Sequence, residues 1–234
     1  MQNYIRTHKL TFFSAIFLLL LIPSIYHISS LFLKASTLPA KYTVVIDAGH
    51  GGFDPGKVGI DGSLEKDINL SIALKLRQLL TQNDVKVIMT RETDTALFEE
   101  SDTNKKKADM RNRRNQIKTY QPDIAVSIHQ NSFPSEAQKG AQVFYYVHSK
   151  ESEQLAKLLQ AQLIETLDPT NHRTYKSNDS YYLLKGATCP MVIVECGFLS
   201  NFEEASKLNS DEYQNQIAWA IHLGILKYLN TYSS

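Results

Sequence analysis

The sequence has few cysteines and almost no net charge, and these two features exclude several classes of protein. Its 234 residues include two cysteines, Cys189 and Cys196, which cannot form a disulfide framework. We expect Cys196 to be a small buried hydrophobic residue rather than a nucleophile or a ligand. The formal net charge of +1 gives no basis for binding nucleic acid. The sequence also lacks internal repeats and the H-E-x-x-H motif of one large class of zinc proteases.

What remains is the composition of a globular protein with an additional N-terminal segment. Hydrophobic residues make up 43% of the chain and charged residues 21%, as in ordinary globular domains. Residues 11–33 contain no Lys, Arg, Asp or Glu, and Arg6 and Lys9 precede them. At about 1.5 Å per helical residue, this run can cross a hydrocarbon core of about 30 Å. We predict a membrane anchor or signal segment over 1–36 and an exported globular domain over 37–234, with cleavage between them left open.

Within that domain, apolar strand-like runs alternate with amphipathic helical ones. The strands are predicted at 42–47, 85–90, 124–129, 141–147 and 189–197. The helices are predicted at 65–83, 107–120, 152–167, 202–209 and 212–229. Strands joined by crossover helices indicate an α/β fold. We expect a central, mostly parallel or mixed twisted sheet of about six strands, flanked by helices on both faces.

Three of these strands end in residues that commonly bind metal ions. His50 follows the first strand, His129 ends the third, and Glu195 lies near the end of the fifth. A further carboxylate, Glu65, opens the first predicted helix. Because ligands of open α/β sheets bind at the carboxyl ends of the strands, we expect these four side chains to share one pocket.

Two histidines and a carboxylate are a frequent donor set for catalytic zinc, which keeps a fourth position open for water. A second carboxylate outside the metal's ligands can then move protons, as amide hydrolysis requires. Taken singly, His50 could be a surface residue in a tight turn, and Glu65 could simply oppose a helix dipole. Glu195 is harder to explain in this way, since it ends an apolar strand where an unpaired charge is costly. The spacing alone leaves both interpretations open.

Four segments carry a resemblance to a known family. "VVIDAGHGGFDPG", "LEKDINL", "DIAVSIHQNS" and "VIVECGFLSN" resemble, in that order, the signature blocks of the zinc-dependent N-acetylmuramoyl-L-alanine amidases (amidase type 3) of bacterial cell walls. The resemblance implies that His50, Glu65 and His129 bind one Zn²⁺ ion and that Glu195 is catalytic. It also implies hydrolysis of the amide between the lactyl group of muramic acid and the L-alanine of the stem peptide.

Further segments resemble one subtype of this family. "VIMTRETDT", "RNRRNQI" and "GILKYL", with the short layout behind an N-terminal segment, are similar to the germination-specific spore-cortex amidase of endospore-forming bacteria. This implies action on cortex peptidoglycan before muramic δ-lactam formation, in the cortex space around the forespore. Implied partners are glycan strands with stem peptides, the membrane through the N-terminal segment, and an activating lipoprotein or a deacetylase, but no nucleic acid.

Several alternatives remain beside this interpretation. One is a general vegetative cell-wall amidase, and another is a weakly active member that needs an activator. A wall-binding module without activity and a zinc peptidase that cuts within the stem peptide are the rival classes. Asp47 could orient a metal ligand or merely end its strand, and Arg91 could meet a substrate carboxylate or form a structural ion pair. We expect four other histidines to be structural or at the surface: His27, His148, His172 and His222.

Overall fold

The computed structural model describes residues 21–24, 26 and 40–232, and it divides the chain into two compact units, Met1–Ala40 and Lys41–Ser234. In the first unit, residues 21–24 and 26 are helical. Most of the predicted anchor or signal segment, including His27, lies outside the described residues. None of the helices within the described ranges has the length and apolar character of a membrane span.

The second unit is built from six strands and six helices within 40–232. The strands are β1 Tyr42–Ala48, β2 Val85–Met89, β3 Ile124–Asn131, β4 Gln142–Tyr146, β5 Lys176–Asn178 and β6 Met191–Phe198. The helices are α1 Glu65–Thr81, α2 Lys105–Tyr120, α3 Lys150–Leu167, α4 Tyr182–Lys185, α5 Phe202–Leu208 and α6 Asp211–Tyr232. The alternation of strands and helices confirms the predicted α/β class.

The six strands form one mixed sheet in the order β2-β1-β3-β6-β4-β5. β1 pairs in parallel with β2 and β3, and β3 pairs in parallel with β6. β4 runs antiparallel to β6, and β5 runs parallel to β4. The carboxyl ends of β1, β3 and β6 therefore lie at the same edge, at three consecutive positions in the sheet.

Helices cover both faces of this sheet, as predicted. Val44 and Ile46 of β1 belong to a core that also contains buried residues of α1, α3 and α6. Val45, between them, belongs to a second core with residues of α2 and α4. Successive side chains of a strand point to opposite faces, so β1 must be apolar on both. This explains why its sequence is a continuous run of apolar residues rather than an alternation.

Two short elements were missed by the sequence analysis. β5, with the sequence Lys-Ser-Asn, is a polar edge strand that exists through its pairing with Phe144, Tyr145 and Tyr146 of β4. α4 has four residues and is too short to show helical periodicity. The predicted start of the second helix at 107 was also late. The helix begins at Lys105, and the side chain of Asn104 caps it by accepting a hydrogen bond from the Lys107 amide.

A buried ion pair ties the end of β1 to α2. Asp47 and Arg113 are 0% and 1% exposed, and Arg113 Nη1 lies 2.8 Å from Asp47 Oδ1. Hydroxyls of Thr90 and Ser127 donate to the same carboxylate at 2.7 and 2.6 Å. Burial acts to raise the pKa of Asp47, but the Arg113 charge and these hydrogen bonds outweigh it and lower the pKa to about 2. Asp109 Oδ2 accepts a second bond from Arg113 at 2.7 Å.

Replacing Asp47 with asparagine should lower the free energy of unfolding by about 3 kcal/mol, because a buried charge then loses a partner. Since the folded-state pKa of Asp47 is lowered, its contribution is present above about pH 4 and is lost as the pH falls towards 2. Urea unfolding at pH 7 and at pH 3 measures both effects.

Glu92→Gln provides the matched control, since Glu92 forms an exposed ion pair with Arg77. Its loss should change the unfolding midpoint very little. Equal effects of the two substitutions at pH 7 would contradict the importance assigned to the buried pair.

Candidate metal centre

The turn after β1 places His50 over the edge of the sheet. His50 has a left-handed backbone with φ of 61°, an unusual conformation for a residue with a side chain. Glycines before and after His50 allow the His129 ring and the Glu65 carboxylate to approach the main chain of this turn closely. A Cβ atom on Gly49 would lie 2.3 Å from the His129 ring, and one on Gly56 would lie 2.5 Å from Glu65 Oε2. The glycines in this turn therefore make room for the neighbouring site residues.

The register of β3 and β6 brings two further site residues together. His129 on β3 lies directly opposite Glu195 on the parallel strand β6. In the same way, Asp47 on β1 lies opposite Ser127, two residues before His129. Glu65 comes from a different element, since it is the first residue of α1, and its buried side chain points towards both histidines.

The three predicted metal ligands converge on one point. His50, Glu65 and His129 each offer a ligand atom, and these atoms all lie within 4.8 Å of one another. His50 Nε2 is 3.2 Å from Glu65 Oε2, and His129 Nδ1 is 3.0 Å from Glu65 Oε1. Two imidazoles and one carboxylate at this spacing can hold a single metal ion.

The electrostatics of these residues suit a cation. Burial acts to raise the pKa of Glu65, but hydrogen bonds from His129 and His50 outweigh it and hold the pKa well below its usual range. Burial acts to lower the pKa of His129, and the Glu65 carboxylate outweighs it and raises that pKa. The site therefore keeps an ionised carboxylate in a buried position, which the charge of a metal ion would stabilise.

Several hydrogen bonds fix the orientation of these side chains, and the residues that make them were not predicted from the sequence. Asp54 Oδ2 lies 2.9 Å from His50 Nδ1, which leaves Nε2 directed towards Glu65. The Glu65 carboxylate accepts from the amides of Lys57 and Gln130 at 2.8 and 3.0 Å. Such contacts hold ligand geometry in metal proteins. Asp54 could have been found from its position four residues after His50, in the same turn.

The structure decides between the two interpretations of Asp47. Its three hydrogen-bond partners are Thr90, Ser127 and Arg113, so it does not contact either histidine directly. Arg113, however, also donates to the carbonyl oxygens of Ala48 and His50. Asp47 thus holds the turn that presents His50 through Arg113 rather than through the imidazole.

Of the two interpretations of Arg91, the structural ion pair is contradicted within the described residues, and the contact with a substrate carboxylate stays a prediction. Arg91 is 3% exposed, and its guanidinium donates to the main-chain oxygens of Ala48, Gly49, Lys66 and Thr93. Within 40–232, no ion pair involves it. Arg91 therefore joins the end of β1 to the first turn of α1 and to the segment after β2 through main-chain oxygens.

Glu195 lies opposite His129, one of the three predicted ligands, and has a different environment. It is 9% exposed, and its Oε2 atom is buried without a hydrogen-bond partner among the described residues. Burial raises its pKa to about 7, the nearby Glu65 charge adds to this, and His129 opposes it. A carboxyl group with this pKa can both accept and donate a proton near neutral pH. The unpaired buried oxygen also fits a site completed by a metal ion and substrate.

The other described histidines and the two cysteines are not part of the His50–Glu65–His129 cluster. His148 and His172 are exposed, as expected. His222 is buried on α6, where its Nε2 atom lies 3.1 Å from Asn83 Nδ2. Cys196 is fully buried, which confirms the sequence interpretation.

Comparison with known proteins identifies the family that has this arrangement. A family model described as N-acetylmuramoyl-L-alanine amidase, Amidase_3, matches residues 44–227. The chain belongs to this amidase family. The mixed six-stranded sheet of this chain and its histidine–glutamate–histidine cluster agree with the match. The chain is therefore a peptidoglycan amidase.

Individual amidases are similar over most of this chain. The germination-specific N-acetylmuramoyl-L-alanine amidase of Bacillus subtilis is 39% identical over 199 residues, which is 83% of each chain. The solved structure of the CwlD amidase of Clostridioides difficile, in complex with the GerS lipoprotein, is 43% identical with a TM-score of 0.79 and covers 81% of this chain and 99% of that one. The catalytic domain of the amidase CwlV from Bacillus (Paenibacillus) polymyxa is 32% identical with a TM-score of 0.68, covering 81% of this chain and 98% of its own.

Substituting His129 with alanine should abolish metal binding by the amidase, because one of three ligands and the bond to Glu65 are lost together. Metal content of the purified variant, measured by atomic emission after dialysis, tests this. His148→Ala removes an exposed histidine outside the site and should retain the wild-type content. A His129 variant with full metal content would exclude His129 from the ligand set.

Proposed function

We propose that this protein is a zinc-dependent N-acetylmuramoyl-L-alanine amidase that cuts the bond between the lactyl carbonyl of muramic acid and L-alanine. The observation that carries the proposal is the convergence of His50, Glu65 and His129 on one point, with Glu195 beside them on the adjacent strand. We assign His50, Glu65 and His129 as ligands of the metal ion and Glu195 as the residue that transfers protons.

The donor set favours zinc over harder cations. Two imidazoles and a single carboxylate suit Zn²⁺, whereas Mg²⁺ and Ca²⁺ prefer sites made of oxygen atoms. When bound, zinc supplies a Lewis acid that polarises the scissile carbonyl and makes water a stronger acid. Asp54 and the amides that donate to Glu65 hold the ligands in place for this purpose.

Glu195 is suited to move the proton that amide hydrolysis requires. An amine leaves only when its nitrogen is protonated, and the attacking water must lose a proton first. With a pKa of about 7 set chiefly by burial, the Glu195 carboxyl group can take the proton from water and return it to the nitrogen of L-alanine. No other described carboxylate in contact with the cluster is available, since Glu65 and Asp54 are hydrogen-bonded to the histidines.

We further propose that the substrate is spore-cortex peptidoglycan and that cleavage precedes muramic δ-lactam formation. The similarity to the germination-specific amidase of Bacillus subtilis supports this assignment. The CwlD amidase, which was solved with a lipoprotein bound, supports an activating lipoprotein as a partner. The charge-free run 11–33 supports export, with the protein anchored or secreted into the space around the forespore. A vegetative cell-wall role is the second candidate, because LytC of Bacillus subtilis is 32% identical over 80% of this chain.

Glu195→Gln should lower kcat by at least about 100-fold while zinc content is retained, because the amide cannot carry the proton. Release of stem peptide from purified peptidoglycan gives kcat, and metal analysis of the same sample gives the zinc content. Glu165→Gln, at an exposed position on α3, is the control and should have wild-type activity. Loss of zinc from the Glu195 variant would instead make Glu195 a ligand.

Product analysis tests the reaction and the substrate. Mass spectrometry of digested cortex peptidoglycan should show free muramic acid lactyl groups and peptides that begin with L-alanine. Peptides that begin further along the stem would overturn the amidase assignment in favour of a peptidase. Equal rates on vegetative and cortex glycan, with or without a sporulation-specific lipoprotein, would overturn the cortex assignment but leave the amidase assignment intact.

A further inference from the structure

A tyrosine near Glu195 and Glu65, Tyr181, takes no part in the metal cluster or in the proposed proton transfer. Tyr181 directly precedes the short helix α4. The Asn178 side chain accepts a hydrogen bond from the Tyr181 amide at 2.7 Å, and the Tyr181 carbonyl accepts one from the Lys185 amide at 3.0 Å. The main chain of Tyr181 is therefore held on both sides.

The ring of Tyr181 packs on the face of the sheet that carries Glu195. It lies edge-on to Phe144 of β4, with ring centroids 5.6 Å apart. Phe144 is paired with Ile193 of β6, and both belong to the core on the α2 and α4 side. Glu195 is two residues beyond Ile193 and projects from the same face, about 7 Å further along the strand. Tyr181 thus lies next to the strand end that bears the proposed proton-transfer group.

The phenol group of Tyr181 is unpaired and keeps its proton. Its ring is half-buried, but no described residue forms a hydrogen bond with the hydroxyl, and this oxygen is not among the fully buried polar atoms. Burial raises the pKa of Tyr181, and the negative charges of Glu195 and Glu65 raise it further. The hydroxyl is therefore a neutral donor without a partner among the described residues, and it lies close enough to both carboxylates to feel their charge.

We propose that the Tyr181 hydroxyl is a further catalytic group, which donates a hydrogen bond to the scissile carbonyl oxygen as that oxygen gains negative charge. This inference rests on the proposed amidase function. The proton stays on the phenol throughout, and no covalent bond to the ring forms or breaks. A fixed donor directed at developing charge stabilises the transition state more than the ground state. The contact with Phe144 provides the rigidity that such a donor requires.

Tyr181→Phe tests this directly, since it removes the hydroxyl and keeps the ring that packs on Phe144. Removing one donor of this kind lowers kcat by about 100-fold, and we expect that fall with an unchanged KM on peptidoglycan fragments. Tyr182→Phe is the matched control. Tyr182 is the next residue, is 41% exposed, and packs under the Arg114 guanidinium at 4.3 Å. The Tyr182→Phe variant should keep the wild-type kcat.

A second measurement separates donation in the transition state from ordinary binding. A phosphinate that replaces the scissile amide of a muramoyl-L-alanine fragment imitates the tetrahedral species. Its inhibition constant should rise in Tyr181→Phe by the same factor by which kcat/KM falls. Zinc content and the urea unfolding midpoint should match those of the wild type.

Three results would overturn the inference. These are a wild-type kcat in Tyr181→Phe, a rise in KM alone, and an equal loss in Tyr182→Phe. Each leaves the proposed function untouched as long as the wild-type enzyme releases peptides that begin with L-alanine. If the wild-type enzyme releases no peptide that begins with L-alanine, the proposed function itself fails, whatever the variants show.

Discussion

The structure of the site depends on the buried ion pair between Asp47 and Arg113. β1 must stop at the sheet edge and turn sharply, which leaves main-chain carbonyl groups that no strand or helix can satisfy. Arg113 donates to two of them, at Ala48 and His50, and the Asp47 carboxylate keeps its charge balanced in a buried position. Arg91 also donates to the Ala48 carbonyl and, in addition, to that of Gly49. Removing water from two charges is costly, and here the result is a rigid turn that presents His50.

The two buried glutamates of the site have opposite protonation behaviour, and their contacts explain the difference. Glu65 accepts hydrogen bonds from two amides and contacts both histidines, so it remains ionised and suited to a metal ion. Glu195 has a buried oxygen without a partner, so its neutral form is favoured and its pKa is raised to about 7. Separation of pKa values between neighbouring carboxyl groups is how one site obtains a fixed ligand and a mobile proton.

The limits of the sequence interpretation follow from the range of the interactions. The strands β1, β3 and β6 were predictable because burial on both faces requires continuous apolar runs, as in the Met-Val-Ile-Val of β6. His50, His129 and Glu195 could be proposed as neighbours because parallel strands end at one edge. Asp54, Asn69 and Gln130 were missed because polar residues of these types are common in turns and on helix surfaces. Asn69, for example, is recognisable only when its amide is seen to reach Glu65 Oε1 and the Gly49 carbonyl.

The sequence by itself determined the α/β class and the resemblance to the amidases, and it indicated four candidate site residues, because hydrophobic periodicity and short motifs are local properties of the chain. Only the tertiary structure decided the strand order, the antiparallel placement of β4 and the packing of Tyr181 on Phe144. It also decided that Asp47 acts through Arg113 and that Arg91 binds carbonyl groups. These relations join residues far apart in the chain, such as Asp47 and Arg113, and they arise from packing that no local pattern records.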